Sequence, residues 1–372
     1  MINIGITGQN GFIGTHLFNT LGLCVEKYSL IEFKRNYFED KAALDIFVSQ
    51  CDVIVHLAAL NRHKNSSVIY ETNIRLVSSL IESLNRTKST PHIIMSSSSQ
   101  ENNDNIYGKS KKVGRSLLSD WAREKKAIFT GMIIPNVFGP FGKPKYNSVV
   151  ATFCHQLSNN EIPKIKVDGE LKLIYVSELV TCIIYCIKNK ANQAEYKVKH
   201  TSKIKVSKLL GLLQNIKTLY QENGEIPRLI NIFELNLFNT FRCYMDIKNY
   251  FPKKIKQHLD ARGSFVELIR LGIGGQVSFS TTVPGITRGN HFHTRKIERF
   301  AVIKGKALIQ LRRIGTNEVL DFYLDGKEPA YVDIPIWYTH NIKNIGNDIL
   351  YTNFWINEVY NSDNADTFFE EV

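Results

Sequence analysis

What the chain lacks narrows the field first. In its 372 residues no apolar run approaches the ~20 residues needed to span a bilayer, and "MINIGITG" goes straight into a strand-like run with no leader before it. The expectation is a cytoplasmic protein. Six cysteines (Cys24, Cys51, Cys154, Cys182, Cys186 and Cys243) lie inside apolar stretches, and no CxxC pair occurs among them. That pattern reads as structural thiols in a reducing compartment. An arginine-rich arm is missing too. Lys and Arg outnumber Asp and Glu by 47 to 35, but the basic residues are scattered, with only short runs such as "KSKK" (109–112) and "PKKIK" (252–256). The excess therefore does not point to nucleic acid; it suits a small phosphorylated partner. No internal repeat or low-complexity segment is present.

What is there has the make-up of an ordinary globular protein, 43% hydrophobic and 22% charged. A chain of this length is expected to divide into two domains. The first ~130 residues alternate apolar strand patterns with helical ones. Strands are expected at 2–7, 27–33, 52–58, 92–97 and 128–134, and helices around 41–50, 70–86 and 107–126. Such alternation predicts an α/β, doubly wound parallel sheet covered on both faces. From 140 to 245 the pattern loosens into helices and short strands, as a substrate lobe would. Beyond about 250, short segments rich in Val, Ile, Phe and Tyr recur between turn signals, from "SFVELIRL" (264–271) to "ILYTNFWINEV" (349–359). These predict an all-β barrel. The expected domains are 1–248 and 253–372.

"TGQNGFIG" (7–14) follows the first strand and opens the first helix. Gly8 allows a tight turn, Gly11 the close approach of a pyrophosphate, and Gly14 the packing of helix on strand, with Phe12 and Ile13 between them. Context lifts this triad above a lone glycine motif. At the end of the second strand "EFKRN" (32–36) places Arg35, with Lys34, where a 2′-phosphate would sit, which favours NADP over NAD. "YGKSK" (107–111) sets Tyr107 and Lys111 at i and i+4, on one helix face. A neighbouring ammonium is expected to lower the phenol's pKa and let Tyr107 exchange protons near neutrality. The serine run at 96–99 ends the preceding strand and could hold a substrate carbonyl oxygen.

With "HLAALNR" (56–62) and "PNVFGPFG" (135–142), these motifs resemble the extended short-chain dehydrogenase/reductase family over about residues 1–245. Its enzymes epimerise, dehydrate or reduce nucleotide-diphospho-sugars. The resemblance implies that Tyr107 is the acid/base, that Lys111 positions it and the nicotinamide ribose, and that Ser98, or alternatively Ser97, orients the carbonyl. It further implies Leu57 and Ala58 beside the cofactor and Asn136 against the substrate. Two positions depart from the family pattern: Ile133 stands where arginine is common, and "YVSE" (175–178) where "YVDD" is usual.

The back half carries G-x5-H-x-H-x4-E-x6-G from Gly285 to Gly305. On a strand His291 and His293 point to one face, as two ligands of one ion must. With Glu298 and the later His340 they make a donor set for Zn, Fe, Mn or Ni. The pattern resembles the cupin family, which implies His291, His293, Glu298 and His340 as metal ligands, zinc being the expected ion. Trp337 replaces a turn glycine of the second cupin motif, so the loop at the site is expected to be reshaped or its mouth narrowed.

A reductase of this type joined to a cupin resembles one group of bifunctional capsular-polysaccharide enzymes. "KYNSVVATFC" (145–154), "DARGSFVEL" (260–268), "VPGITRGNH" (283–291) and "YTHNIKN" (338–344) carry the match. It implies substrate contacts at Tyr146 and Asn147, NADPH as reductant, and two steps on a UDP-2-acetamido-2,6-dideoxy-4-hexulose. The cupin would epimerise carbon 3, with Tyr338, His340 and Lys296 the guesses for its base, and the reductase would then reduce carbon 4. A homodimer is expected, with no nucleic-acid or membrane partner. Two rivals remain at this stage: a reductase acting alone beside a structural cupin, and a non-enzymatic NADP-binding sensor.

Overall fold

The computed structural model describes residues 1–255, 257–260, 263–266, 268–269, 274–358 and 361–372. The chain forms two compact units. The first comprises Met1–Thr152 and Ile165–Val206, the second Phe153–Lys164 and Ser207–Val372. Among the described residues, no helix is long and apolar enough to cross a membrane. All six cysteines are free.

In the first unit the chain runs β1 (Ile2–Thr7), α1 (Phe12–Gly22), β2 (Tyr28–Ile31), α2 (Lys41–Gln50), β3 (Val53–His56) and α3 (Ser66–Thr87). It continues through β4 (His92–Ser98), α4 (Ile106–Lys125), β5 (Phe129–Ile134) and β6 (Asn136–Phe138). Helix α5 (Val149–Ser158) crosses the division between units, and β7 (Glu170–Tyr175), α6 (Val176–Lys188), β8 (Gln193–Lys197) and β9 (Ser202–Lys205) complete this part. Six parallel strands stand in the order β2-β1-β3-β4-β5-β8. The expected strands and helices are all present. Continuous apolar strands bury both faces of the sheet. Ile4, Ile6, Val55, Met132 and Ile183 form a core on one side, and Phe47, Ile54, Leu80, Trp121 and Phe129 a core on the other. Strand order reverses between β1 and β3, where open α/β sheets bind ligands at the carboxyl ends of their strands. The "YVSE" departure becomes a helix cap: the Glu178 carboxylate accepts from the Tyr175 N–H at 2.9 Å and the Thr201 hydroxyl at 2.6 Å.

The second unit begins with helices α7 (Val206–Ile216), α8 (Ile232–Arg242) and α9 (Ile247–Tyr250), with a π-helical turn over Lys217–Glu222. Strands follow: β10 (Lys253–Lys254), β11 (Gln257–Asp260), β12 (Gly263–Val266), β13 (Gln276–Thr282), β14 (Thr287–Phe292), β15 (Glu298–Lys304), β16 (Lys306–Arg313), β17 (Val319–Asp325), β18 (Ala330–Ile334), β19 (Tyr338–Asn344), β20 (Leu350–Ile356) and β21 (Phe368–Phe369). Among the described residues they make two antiparallel five-stranded sheets, β10-β18-β15-β20-β13 and β17-β16-β19-β14-β21, and a two-stranded ribbon. Of the expected strand 264–271, residues 264–266 are seen in β12, while 267, 270 and 271 lie outside the described residues, as do 261, 262 and 267 of "DARGSFVEL" (260–268). Phe300, Val302, Ile309, Leu311, Val332 and Ile342 fill the space between the large sheets, and Ile247 and Phe251 join that core. Residues 207–245, read from sequence as part of the substrate lobe, thus pack with the β-rich half.

Candidate active site and candidate metal centre

In the first unit the carboxyl ends of β1, β3, β4 and β5 open into a cavity of about 750 Å³, well within the size range of small-molecule sites. Gly8, Gly11, Phe12, Ile13 and Gly14 form one wall and Leu57 and Ala58 another. Ser96, Ser97, Ser98, Tyr107, Lys111, Asn136, Tyr146 and Asn147 also face the cavity. Of the residues expected here from sequence, Arg35 and Lys34 lie off this wall, exposed just beyond β2, where Lys34 pairs with Glu32 at 3.5 Å.

The glycine turn fits a dinucleotide. Gly8 has φ +79°, and a Cβ on Gly14 would lie 2.2 Å from the Gly8 carbonyl oxygen. Only glycine lets α1 sit this close to the turn, which brings the helix's positive end against the cavity where a pyrophosphate would lie.

Hydrogen bonding separates Ser97 from Ser98. Ser97 is buried, and its hydroxyl donates to the Glu101 carboxylate. Ser98 points into the cavity, and its oxygen accepts from the Gln100 N–H at 3.2 Å, which leaves its proton for a second acceptor. That favours Ser98 over Ser97 as the carbonyl ligand.

Tyr107 and Lys111 share a face of α4, but their electrostatics differ from the expected pair. The Lys111 ammonium donates to Ser96 Oγ at 3.4 Å, and burial pulls it down to about 8, with Glu101 opposing the fall. Tyr107 is pushed up to about 12, by burial first and by Tyr146 second. The expectation that Lys111 lowers the phenol's pKa is therefore corrected. Helical spacing puts the two residues on one face but does not aim the lysine, and here desolvation dominates.

In the second unit β14, β15 and β19 bring His291, His293, Glu298 and His340 together, each offering a donor atom within 4.8 Å of the others. A bulge between Gly289 and His291 shifts the β14–β19 register and sets His291 beside His340, a device that re-aims side chains. His293 Nε2 and His340 Nε2 approach one oxygen of Glu298 at 3.0 and 3.1 Å. All three atoms are buried and none has hydrogen-bond geometry with a partner. Ligands around a shared cation are arranged this way. Burial pulls His291 down to about 4, so it stands neutral at physiological pH with a lone pair to offer. His293 Nδ1 contacts the Asp366 carbonyl oxygen at 2.5 Å, the outer contact that fixes the tautomer of a ligating imidazole. The donor set fits a divalent ion.

Two residues missed in the sequence shape these sites. Asp366, buried near the chain end, accepts from the N–H groups of Thr294, Arg295 and Lys296 and so anchors the loop between His293 and Glu298. Glu101 sits behind the serine strand. Neither belongs to a short-range motif. Trp337 departs from the cupin pattern in side chain but not in backbone. It holds φ +62°, donates its N–H to the His293 carbonyl at 2.8 Å, and stacks on Phe292. The turn thus keeps the left-handed conformation that glycine favours. The guessed bases are engaged as follows: the Lys296 ammonium donates to the Ala365 carbonyl at 2.5 Å, and burial pushes Tyr338 up to about 12.

Comparison with known proteins gives the family. The NAD dependent epimerase/dehydratase family matches residues 4–199. The polysaccharide biosynthesis C-terminal domain matches residues 258–368. A UDP-2-acetamido-2,6-beta-L-arabino-hexul-4-ose reductase of Pseudomonas aeruginosa is 30% identical over 371 residues, covering 98% of this chain and 97% of its own. The spore coat polysaccharide biosynthesis protein SpsL of Bacillus subtilis is 29% identical over 124 residues, 31% of this chain and 82% of its own. Among solved structures, the capsular polysaccharide assembling protein CapF from Staphylococcus aureus aligns over 100% of both chains, with 34% identity and a TM-score of 0.62. The chain belongs to the NAD dependent epimerase/dehydratase family, in the CapF-type branch that joins this domain to a polysaccharide biosynthesis C-terminal domain.

Proposed function

We propose that the chain is a bifunctional nucleotide-sugar enzyme of surface-polysaccharide biosynthesis acting on a UDP-2-acetamido-2,6-dideoxy-4-hexulose. The cupin domain, motif-bearing over 253–372, epimerises carbon 3. The reductase domain, 1–248, reduces the carbon 4 ketone, giving a UDP-N-acetyl-6-deoxy-L-talosamine type product on the route to UDP-N-acetyl-L-fucosamine. The observation that carries this reading is the single cavity that gathers the glycine turn, Ser98, Tyr107, Lys111 and Asn136.

NADPH supplies the hydride when bound, and Arg35, just beyond β2, is assigned to its 2′-phosphate. Tyr107 donates the proton that the carbonyl oxygen needs as hydride reaches carbon 4. Ser98 hydrogen-bonds the same oxygen, and Lys111 holds the ribose and the phenol in register. Asn136, Tyr146 and Asn147 face the sugar-nucleotide. His291, His293, Glu298 and His340 hold one divalent metal, zinc being the favoured ion, which supplies positive charge beside a developing enolate. The protein works in the cytoplasm as a homodimer.

The test is incubation with NADPH and a UDP-4-keto-6-deoxy-HexNAc in deuterated water, with the product's C3 and C4 configuration read by NMR. Deuterium at C3 together with NADPH oxidation is expected. NADPH oxidation without deuterium at C3 would reject the epimerase step. No oxidation at all would reject the whole reading.

A further inference from the structure

The turn between the serine strand and the helix that carries Tyr107 hides a carboxylate that the reaction does not touch. Glu101 lies in a single 3-10 turn (Ser99–Asn102), with its side chain turned inward and almost fully buried. It does not line the cavity, although Ser97, Ser98 and Gln100 around it do. Its Oε1 accepts from the Ser97 hydroxyl and from Arg115 Nε at 2.9 Å, and its Oε2 accepts from Arg115 NH2 at 2.8 Å. The carboxylate is thus clamped by a two-pronged guanidinium and the residue just before Ser98.

Arg115 is itself fixed at a third point. Its NH1 donates to the Ala194 carbonyl at 2.8 Å, and its NH2 reaches Glu195 at 3.0 Å, both on β8. Tyr107, Lys111 and Arg115 follow at i, i+4 and i+8 along α4, so Arg115 continues the face that bears the other two. The helix and the turn are pressed together at their start as well. A Cβ on Gly108 would lie 2.0 Å from the Gln100 carbonyl oxygen, and Asn105 caps α4 by accepting from the Gly108 N–H at 2.7 Å.

We infer that Glu101 and Arg115 are positioning residues that brace the serine strand against the helix of Tyr107 and Lys111. The inference rests on the assignment of Ser98, Tyr107 and Lys111 above. Ser98 and Tyr107 must address one carbonyl oxygen from two separate elements. Small errors in such placement weaken catalysis sharply. A buried ion pair adds little stability over a well-packed apolar pair, so its worth here is geometric.

Glu101 also acts on charge. The groups that act on Lys111 are Ser96 on β4, His56 on β3 and Glu101 on the turn, while Tyr107 shares its helix face. Burial and the Lys111 charge pull His56 down to about 3, so it stands neutral. Glu101 is then the anion that helps keep Lys111 protonated.

The experiment uses the full-length enzyme with NADPH and a UDP-4-keto-6-deoxy-HexNAc, comparing Glu101→Gln and Arg115→Lys with the wild type. Glu101→Gln is expected to lower kcat by about tenfold or more, while KM and NADPH affinity stay within about threefold. It should also move the alkaline limb of the rate to lower pH by about one unit, because Lys111 loses its anion. Arg115→Lys keeps the Glu101 charge but loses the fork, so kcat should fall with the alkaline limb in place. A merely structural pair would lower the folded fraction and leave both the limb and the rate per folded molecule unchanged, which overturns the inference. So does wild-type kcat in a folded Arg115→Lys protein, which keeps the test decisive should Glu101→Gln fail to fold. Wild-type turnover with an inactive Tyr107→Phe is the reference. If that reference fails, the site assignment falls and this inference with it; if it holds and both variants match wild type, this inference falls alone.

Discussion

Removing Asp333 tests how the second unit is held together. Asp333 is wholly buried on β18 and accepts from Arg299 Nε at 2.7 Å, Arg299 NH2 at 3.0 Å and the Tyr220 hydroxyl at 2.5 Å. Arg299 also donates to the Gly224 carbonyl at 3.0 Å and lies 3.8 Å over the Tyr331 ring. Arg242, equally buried, donates to the Tyr220 hydroxyl at 3.3 Å and to the Ile334 carbonyl at 2.8 Å. One carboxylate therefore serves a cluster with two guanidiniums. Asp333→Ala leaves both cations without it, and breaking a buried pair in this way costs about 3–5 kcal/mol. For a unit of this size each kcal/mol lowers the melting temperature by about 2–4 °C, so a fall of ~6–20 °C is expected in the calorimetric transition of the β-rich unit. Asp333→Asn keeps the shape and part of the hydrogen bonding and should lie between wild type and alanine. The double substitution Arg299→Met with Asp333→Leu removes one cation along with the carboxylate and should be milder than Asp333→Ala. A drop under about 2 °C for Asp333→Ala, or a double variant worse than it, would refute this account.

Four further outcomes follow from the geometry. Gly14→Ala puts a methyl 2.2 Å from the Gly8 carbonyl oxygen, and NADPH affinity measured by fluorescence titration should fall at least about tenfold; an unchanged Kd would remove the dinucleotide from this turn. Lys111→Met should abolish turnover and yet stabilise the first unit. The folded protein holds the Lys111 proton with a pKa of about 8 against the ordinary 10.5, so at neutral pH the buried charge costs of the order of 3 kcal/mol. Between those pH values the unfolded chain binds more protons than the folded one, so wild-type stability rises across that window; the rise should be smaller in Lys111→Met, and equal slopes in pH-dependent melting would contradict the shift. His340→Ala should reduce bound metal, read by elemental analysis, from about one ion per chain to background, and retained stoichiometry would exclude His340 as a ligand. A fragment of residues 253–372 lacks Tyr220 and Arg242 and should melt below a fragment of 207–372, whereas equal melting would place the folding boundary near 250.

What could be read from sequence was local. The glycine turn, the Tyr107/Lys111 spacing and the His291/His293/Glu298 pattern each lie within one or two elements, where periodicity fixes which side chains share a face. His340 was reachable because its strand carries a second short motif. Glu101 and Asp366 were not, because their partners are set by tertiary packing: His293 and Asp366 are 73 residues apart, and nothing in either segment names the other. The helices over 207–250 show apolar faces but not what those faces cover, so the lobe and the β-rich unit could not be told apart as their destination. Ser97 and Ser98 both line the cavity and stayed ambiguous until the structure showed the Ser97 hydroxyl engaged by Glu101. The ionisation of Tyr107 failed for a different reason. Spacing places Lys111 on the same face, but a flexible side chain chooses among acceptors, and Ser96 is the one it meets.

That failure bears on the direction of the chemistry. A phenol that burial pushes up to about 12 stays protonated through neutral pH. Reduction of a ketone needs a proton donor at the carbonyl oxygen, and the alkoxide that forms there is far more basic than a phenolate, so transfer from Tyr107 remains downhill. Oxidation of an alcohol would need the phenolate, which burial disfavours here. Lys111 cannot easily change that balance, since burial already weakens its own hold on a proton. An oxidised nicotinamide ring is positively charged and would favour the phenolate, whereas the reduced ring is neutral and would leave the phenol intact. A protonated Tyr107 suits the proposed reduction, whose rate should stay level through neutral pH and decline only where Lys111 loses its proton.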